Sequence, residues 1–537
     1  MTDLRRFRPP GRPRTTSTAA GTARKPGGAA DGPGARWLLL GAAQLYYGCD
    51  TVFRLELNPS AKLPVYRQII DQTHFAINTG ALAAGQRLAS LRDLSQQHGV
   101  AINTVVKAFK ALEERGLVRA GPRSGYHVVG PPAASASANS ASAKSGASRY
   151  QARGVSATKS EVHGAIATLD PGLFPQAFCK ITEDYLTGDP DLCNVIHADG
   201  SGTKSLLGYL QYRETGDASV FRGISQDSLV MNLDDLLCVG VTGRILVSAT
   251  INRNAKRIGA EALRELILGT DAYLARLREH GVAIFSGGGE TADVGDLTPT
   301  VVVDSCCSAV MRKSDVITGE EIRPGLTIVG FASDGQASYE DVENSGIGSN
   351  GLTSARHDLL STHYRKTYPE TFDPGIDPAL IYTGPFRLSD ALPGSKLSVG
   401  QALLSPTRSY APVIRALLGS NRRWIKGLVH CSGGGQTKCL RFGRGVHFIK
   451  DQLLPPPAIF RTIQRVSKTP WKEMYQVYNM GHRMEVYCTT RDARHVIEAA
   501  RSFGITAQAI GRTEKSESGQ NQLSIAHGKR WLRYAAP

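Results

Sequence analysis

The 537-residue sequence is short of three things, and each shortage excludes a class of protein. Its apolar run Trp37–Tyr47 stops after eleven residues, against the roughly 20 that a bilayer requires, so it is no membrane span. Nine cysteines, at 49, 179, 193, 238, 306, 307, 431, 439 and 488, form no CxxC pair and no framework spacing. That pattern excludes a disulfide scaffold and any zinc-type His/Cys spacing, and it points to reduced thiols in a cytoplasm. The vicinal Cys306-Cys307 falls in the apolar run Val301–Met311 and reads as a pair of buried strand residues. Acidic residues are also scarce, 47 against 63 Lys and Arg, for a net charge of +16. The excess sits at the front: residues 1–36 carry +6, residues 37–150 another +6, and the remaining 387 residues only +4. A basic front on a nearly balanced remainder places a polyanion partner at the front and a small ligand behind it.

What is present begins at Leu63. Val65, Ile69 and Phe75 or Ala76 recur on one helical face, and Gly80 ends the pattern. Ser90-Leu-Arg-Asp93 is a capping-box start for a short helix to His98, and Gly99 makes a turn. The next helix opens at Asn103 as N-cap, with Val105, Phe109 and Leu112 at i, i+4, i+7. Two short helices about a glycine turn form a helix-turn-helix. Leu117–Arg119 and Tyr126–Val129 then read as two strands around a wing, Gly121 to Gly125. The string from Leu88 to Val118 resembles the GntR family of winged-helix regulators over residues 63–129. Ala89 stands where that family usually has Pro, and Val106 where it has a recognition-helix Arg. By position the DNA contacts are Arg92, Asn103, Thr104, Lys107 and the wing residue Arg123, mostly to phosphate. A DNA-binding domain over 51–129 argues against export, so residues 1–50 read as a disordered basic tail or an upstream extension of a misassigned start. Residues 130–150, rich in Ala and Ser, cannot bury a core and form a flexible linker.

The back module carries different chemistry. Asp199-Gly-Ser-Gly-Thr-Lys204 suits a phosphate site: Gly200 and Gly202 let the backbone approach, Thr203 and Lys204 donate, and Asp199 can hold a divalent cation. The segment from Gly223 to Leu237 reads as a helix with Asp227, Asp234 and Asp235, in which Asp227, Met231 and Asp234 or Asp235 recur at helical spacing on one side. Those carboxylates would repel one another unless a cation sat among them, and magnesium is the natural candidate. A long amphipathic helix (Ile258, Ala262, Leu266, Leu274, Leu277) ends at His280-Gly281. The strand Val282–Phe285 then feeds a glycine loop, Ser286-Gly-Gly-Gly-Glu290, with Asp293 at its exit. His197, His430 and His482 read as hydrogen-bonded loop histidines, with acid–base work as the alternative.

Further strings follow in order: Ser349-Asn-Gly-Leu-Thr-Ser-Ala-Arg, Ser405-Pro-Thr-Arg, His430-Cys-Ser-Gly-Gly-Gly and Tyr475-Gln-Val-Tyr-Asn-Met-Gly. Together they resemble the phosphoribosylformylglycinamidine cyclo-ligase (AIR synthetase) family from about Arg149 to Ser524. The resemblance implies an α+β multidomain chain: a winged helix-turn-helix, then an AIR-synthetase-like module of two subdomains, 151–320 and 321–537. It also implies a homodimer through strands of the first half, with ATP as co-substrate, Mg2+ as cofactor and potassium as an auxiliary ion. The implied substrate is formylglycinamidine ribonucleotide. The implied catalytic residues are Asp199, Asp235 and Glu290, and the metal residues Asp199, Asp227 and Asp235. ATP and phosphate fall to Gly200, Gly202, Thr203, Lys204, Asp227 and Lys159, the last in place of a nucleotide-contacting lysine found elsewhere in the family. Gly348 stands where many members carry a histidine. Two readings remain open: a working cytoplasmic ligase with a DNA-binding attachment, or a transcriptional regulator whose retired ligase fold senses ATP or a purine intermediate.

Overall fold

The computed structural model describes residues 55, 57–58, 64–78, 82, 85–114, 117–121, 125–129, 149–156, 160–166 and 169–536. The expected tail, the linker before 149, Arg123 and Lys159 lie outside them. The chain divides into two compact units, Met1–Ser142 and Ala143–Pro537.

The first unit packs α1 (Val65–Asn78), α2 (Leu91–His98) and α3 (Ile102–Glu114) with a hairpin of β1 (Val118–Gly121) and β2 (Gly125–Val128). Its core is small: Ile69, Ile70, Ala76, Val105, Ala108, Phe109 and Leu112 are buried, with Val118 and Val128 from the hairpin. Local chemistry sets the turn. The Ser90 hydroxyl accepts from Asp93 N at 3.1 Å, as expected of a capping residue. Gly99 adopts a left-handed φ of 62° that closes α2. One expectation is corrected: α3 starts at Ile102, so Asn103 lies inside it and Ala101 is the N-cap. The Ser95 hydroxyl donates to Val100 O at 2.7 Å and tightens the turn. Ala101 O therefore takes the first helical bonds, from Thr104 N and Val105 N.

The second unit is built on two sheets. The first has the order β3-β4-β7-β5-β6: β3 (Ile181–Glu183), β4 (Leu192–Gly200), β5 (Gly243–Arg253), β6 (Ala283–Asp293) and β7 (Val301–Arg312). Only β5 and β6 run parallel. The second sheet comes from residues 327–535, in the order β11-β13-β8-β14-β12-β15-β16. These strands are β8 (Thr327–Ala332), β11 (Gly427–His430), β12 (Val446–Lys450), β13 (His482–Cys488), β14 (Ala507–Lys515), β15 (Gln522–His527) and β16 (Arg530–Ala535), with the short pair β9 (Asp334–Gly335) and β10 (Asn344–Ser345) beside them. Helices α4 (Arg149–Ala152) and α5 (Ser160–Ile166) precede β3. α6 (Lys204–Thr215), α7 (Val220–Cys238) and α8 (Ala260–Glu279) flank the first sheet, and α9 (Leu352–Leu359) follows β10. From Asp227 to Cys238 every residue of α7 is buried, so this stretch of the helix presents no solvent face and must satisfy its charges internally.

Two strand expectations need correction. The glycine run after Phe285 is no loop: β6 continues to Asp293, pairing with β5 on both sides of Gly287-Gly288. The register slips between Val247 and Ala249, and Gly288 takes a φ of 97°, so the glycines form a bulge inside an edge strand. A Cβ at Gly289 would collide with Ala249 O. The strand over Val301–Met311 forms as expected, but period two puts its cysteines on opposite faces: Cys307 is buried and Cys306 only half-buried.

Candidate functional sites

The three carboxylates of α7 do not share one cation; each meets a different side chain from a distant part of the chain. Lys204 Nζ lies 2.8 Å from Asp227 Oδ1, with both side chains fully buried. It also donates to Ser405 O at 2.5 Å, while Thr407 N donates to Asp227 at 2.7 Å. The corrected picture is that Lys204 sits inside, neutralising Asp227. Burial pushes its pKa down against the opposing charge of Asp227. Asp234 accepts from the Ser409 hydroxyl at 2.6 Å and lies 3.4 Å from Arg483 Nη2. Its burial outweighs these partners, and its carboxyl is pushed up. Asp235 joins two histidines: Oδ1 is 2.6 Å from His430 Nδ1 and Oδ2 is 3.4 Å from His197 Nε2. Burial raises its pKa, but the hydrogen bond and charge of His430 outweigh burial and hold it below the usual carboxylate range. His197 also lies 2.9 Å from Asn232 Oδ1, whose amide donates to Asp199 O and to Ser305.

This ladder opens on a cavity of about 380 Å3 lined in part by β4 and α7. Its walls include His197, Asp199 and Asp235 on one side and Ser432, Gly433, Gly434, Lys438 and Arg441 on the other. Asp199 is exposed at the end of β4. Asp304 comes from β7 directly opposite Gly200, where any Cβ would strike its carboxylate. Burial, then the charge of Asp199, pushes the Asp304 carboxyl up. Thr250 pairs with both Asp304 and Glu290, so Glu290 shares that sheet face two strands away. Thr203 caps α6 and its hydroxyl lies 3.0 Å from that of Thr353.

Sequence reading missed Lys438, Arg441 and Asp304. Each left a signal: two cations close behind a glycine run, and one acid inside an apolar strand. It also missed a buried group, Cys431, His482 and Glu485, whose ligand atoms lie within 4.8 Å of one another. The Lys450 ammonium already pairs with Glu485 there, and Tyr487 OH donates to the same carboxylate at 2.7 Å, so the group is closed around a protein cation.

In the first unit Arg92, Asn103 and Lys107 are exposed and Thr104 half-buried. Asn103, Lys107 and Lys110 recur on the face of α3 opposite its core residues, which adds Lys110 to the expected set. The Lys107 ammonium lies 4.1 Å from the centroid of the Tyr66 ring.

Residues 55–128 match the family model of bacterial regulatory proteins, gntR family. Residues 183–308 and 323–523 match the N-terminal and C-terminal domains of AIR synthase related protein. The chain is 30% identical over 324 residues to the phosphoribosylformylglycinamidine cyclo-ligase of Methanothermobacter thermautotrophicus, covering 60% of this chain and 80% of that protein. The chain belongs to this cyclo-ligase family. It is also 29% identical over 323 residues to the cyclo-ligase of Methanocaldococcus jannaschii, covering 60% and 78%. Among solved structures, T. maritima PurL complexed with ATP aligns at a TM-score of 0.34 and 14% identity, over 65% of this chain and 44% of that one, a likeness too loose to build on. The α+β architecture, a GntR-type winged helix followed by a cyclo-ligase module of two domains, is thus as expected. Within the cyclo-ligase module Gly348 has a left-handed φ of 69°, and a Cβ there would stand 3.5 Å from Arg483 Cδ. A histidine at this position would be strained by its backbone. Among the described residues no helix is long and apolar enough to cross a membrane.

Proposed function

We propose that the second unit is an ATP-dependent ligase that cyclises formylglycinamidine ribonucleotide to 5-aminoimidazole ribonucleotide in purine biosynthesis, and that the GntR-type module binds DNA. The reading rests on the cyclo-ligase match across both domains that frame the cavity. The reaction passes the γ-phosphoryl of ATP to the formyl oxygen; the amidine nitrogen then closes the ring and phosphate leaves. Such chemistry demands positioning and charge neutralisation rather than a protein nucleophile.

The cavity suits that demand. Lys438 and Arg441 on one wall and His197 on the other bring donors toward phosphoryl oxygens; by the family resemblance Gly200, Gly202 and Thr203 let the backbone approach the phosphate. Magnesium fits the hard carboxylate of Asp199 on the cavity wall, where it would neutralise phosphate charge. Glu290, on the face of Asp304, orients metal or substrate. Asp227 and Asp235 act through Lys204 and the two histidines that already hold them. Asp235 remains a catalytic residue of this reading, as a wall of the cavity. Lys159 belongs to the nucleotide site by resemblance, with potassium as auxiliary ion. A homodimer in the cytoplasm completes the reading: Ile196, Leu246, Phe285 and Val302 stay exposed on the first sheet, beside the open edge of β6.

The test supplies the full chain with formylglycinamidine ribonucleotide, ATP, magnesium and potassium and follows the aminoimidazole product. Product that disappears in Asp235→Asn supports an enzyme. Tight ATP binding with no product at all replaces it with a nucleotide-sensing regulator.

A further inference from the structure

The first described residues after the linker are fastened deep in the second unit. Arg153 is fully buried and reaches Asp358, 2% exposed at the end of α9, with Nη2 to Oδ1 at 2.7 Å. The same guanidinium donates from Nε to Leu380 O at 3.1 Å and from Nη1 to Ser354 O at 3.4 Å. Arg149, one turn earlier and 37% exposed, adds a second bond to Asp358 Oδ1 at 2.9 Å. A buried carboxylate thus holds two guanidiniums, one from α4 and one from the residue that follows it. The helix ends at Ala152, the φ of 76° at Gly154 then turns the chain, and Val155 N returns to Tyr150 O at 3.3 Å. The turn delivers Tyr150, Val155 and Ser156 to the wall of the cavity that holds His197, Asp199 and Asp235.

We propose that Arg153, assisted by Arg149, is a positioning residue of the nucleotide site: its clamp on Asp358 fixes the segment 150–156 as one wall of that cavity. The inference rests on the cyclo-ligase reading. A buried charge pair is a poor source of net stability, because desolvation offsets attraction. Its geometric effect is large, since it anchors a short helix and turn that belong to neither sheet, and small displacements at a site weaken binding and rate steeply.

The experiment measures KM and kcat for Mg-ATP, its Kd by calorimetry and the melting temperature in the full chain, in wild type, Asp358→Asn, Asp358→Glu and Arg149→Gln. Asp358→Asn is expected to raise KM or Kd for ATP about tenfold with kcat changed far less, Asp358→Glu to recover most of it, and Arg149→Gln to raise it about threefold. Because Arg149 is partly exposed, that variant decides the matter if Asp358→Asn does not fold. A melting temperature that falls while KM and Kd stay at wild-type values overturns the clamp as a positioning device. Where wild type binds ATP without turnover, Kd alone carries the comparison. Wild type that neither binds Mg-ATP nor turns over overturns the functional reading and this inference with it; an active wild type with unmoved variants overturns this inference alone.

Discussion

The two units handle charge in opposite ways. In the winged helix, Arg92, Lys107 and Lys110 stay in water around a core of a dozen buried apolar residues. In the cyclo-ligase module, Lys204, Asp227, Asp234, Arg483, His430 and Lys450 lie almost wholly inside. An exposed charge needs no partner and is free to meet a polyanion. A buried one is strongly destabilising unless a second charge and several donors satisfy it. The back module has therefore turned much of its ionic chemistry inward to hold α7 in place, leaving a few groups, Asp199, His197, Lys438 and Arg441, at the cavity. Substitutions in the two units should fail in different currencies: folding and turnover behind, DNA affinity in front.

The largest effect is expected at Asp227. Asp227→Asn leaves the Lys204 ammonium buried without its counter-charge and is expected to cost about 3–5 kcal/mol in unfolding free energy, read from denaturant unfolding of the full chain. Replacing both partners, Asp227→Leu with Lys204→Met, should recover much of that loss in stability. Equal losses in the single and double variants would mean that Asp227 is held by Thr407 and Ser349 rather than by Lys204. Next comes Asp235→Asn, which removes the carboxylate joining His197 and His430. A fall of about a hundredfold or more in kcat/KM with a modest change in stability is expected, in line with losses on disturbing a pre-organised polar site. A stability loss without a kinetic one would make the His430–Asp235–His197 chain purely structural.

This contrast also explains what was legible in the sequence. Caps, glycine turns and helical period act over three or four residues, so α2, the turn at Gly99 and the core of α3 were readable, with the N-cap of α3 misplaced by two residues at Asn103. The strings of the back module identified the family and marked Asp199, Asp235 and Glu290. Their partners were not readable, because Asp235 meets His430 across 195 residues and Arg483 meets Asp234 across 249. Lys204 illustrates the point: its glycine-rich neighbourhood suggests phosphate, and only the fold reveals a carboxylate 23 residues on. The glycines of β6 misled for the complementary reason, since pairing with β5 overrides a local preference for turns.

A smaller effect should appear on acidification. Burial, reinforced by Arg356 and Arg153, lowers the pKa of His357, and burial lowers that of His482 against Glu485. Both therefore take up protons less readily in the fold than in the unfolded chain, which protonates its histidines below about pH 6.5. Their stabilisation is therefore complete above that pH and declines as pH falls, by up to about 1.4 kcal/mol per pH unit for each histidine. His357→Asn should flatten the fall in melting temperature between about pH 6.5 and 5, relative to wild type. An unchanged slope would assign the acid sensitivity elsewhere.

The smallest structural effect and the cleanest test of the contrast lie in the winged helix. Arg92→Ala with Lys107→Ala removes two charges that face water, one of them resting over Tyr66. Exposed substitutions of this kind usually change stability by no more than about 0.5 kcal/mol. If both side chains contact phosphates, affinity for duplex DNA should fall uniformly across sequences, and the slope of log affinity against log salt should drop by about 2. Cyclo-ligase turnover should not move, because neither residue belongs to the second unit. A melting transition that falls sharply in the double variant would mean that Lys107 serves the packing of α1 through Tyr66, and the front would then bury part of its charge as the back does.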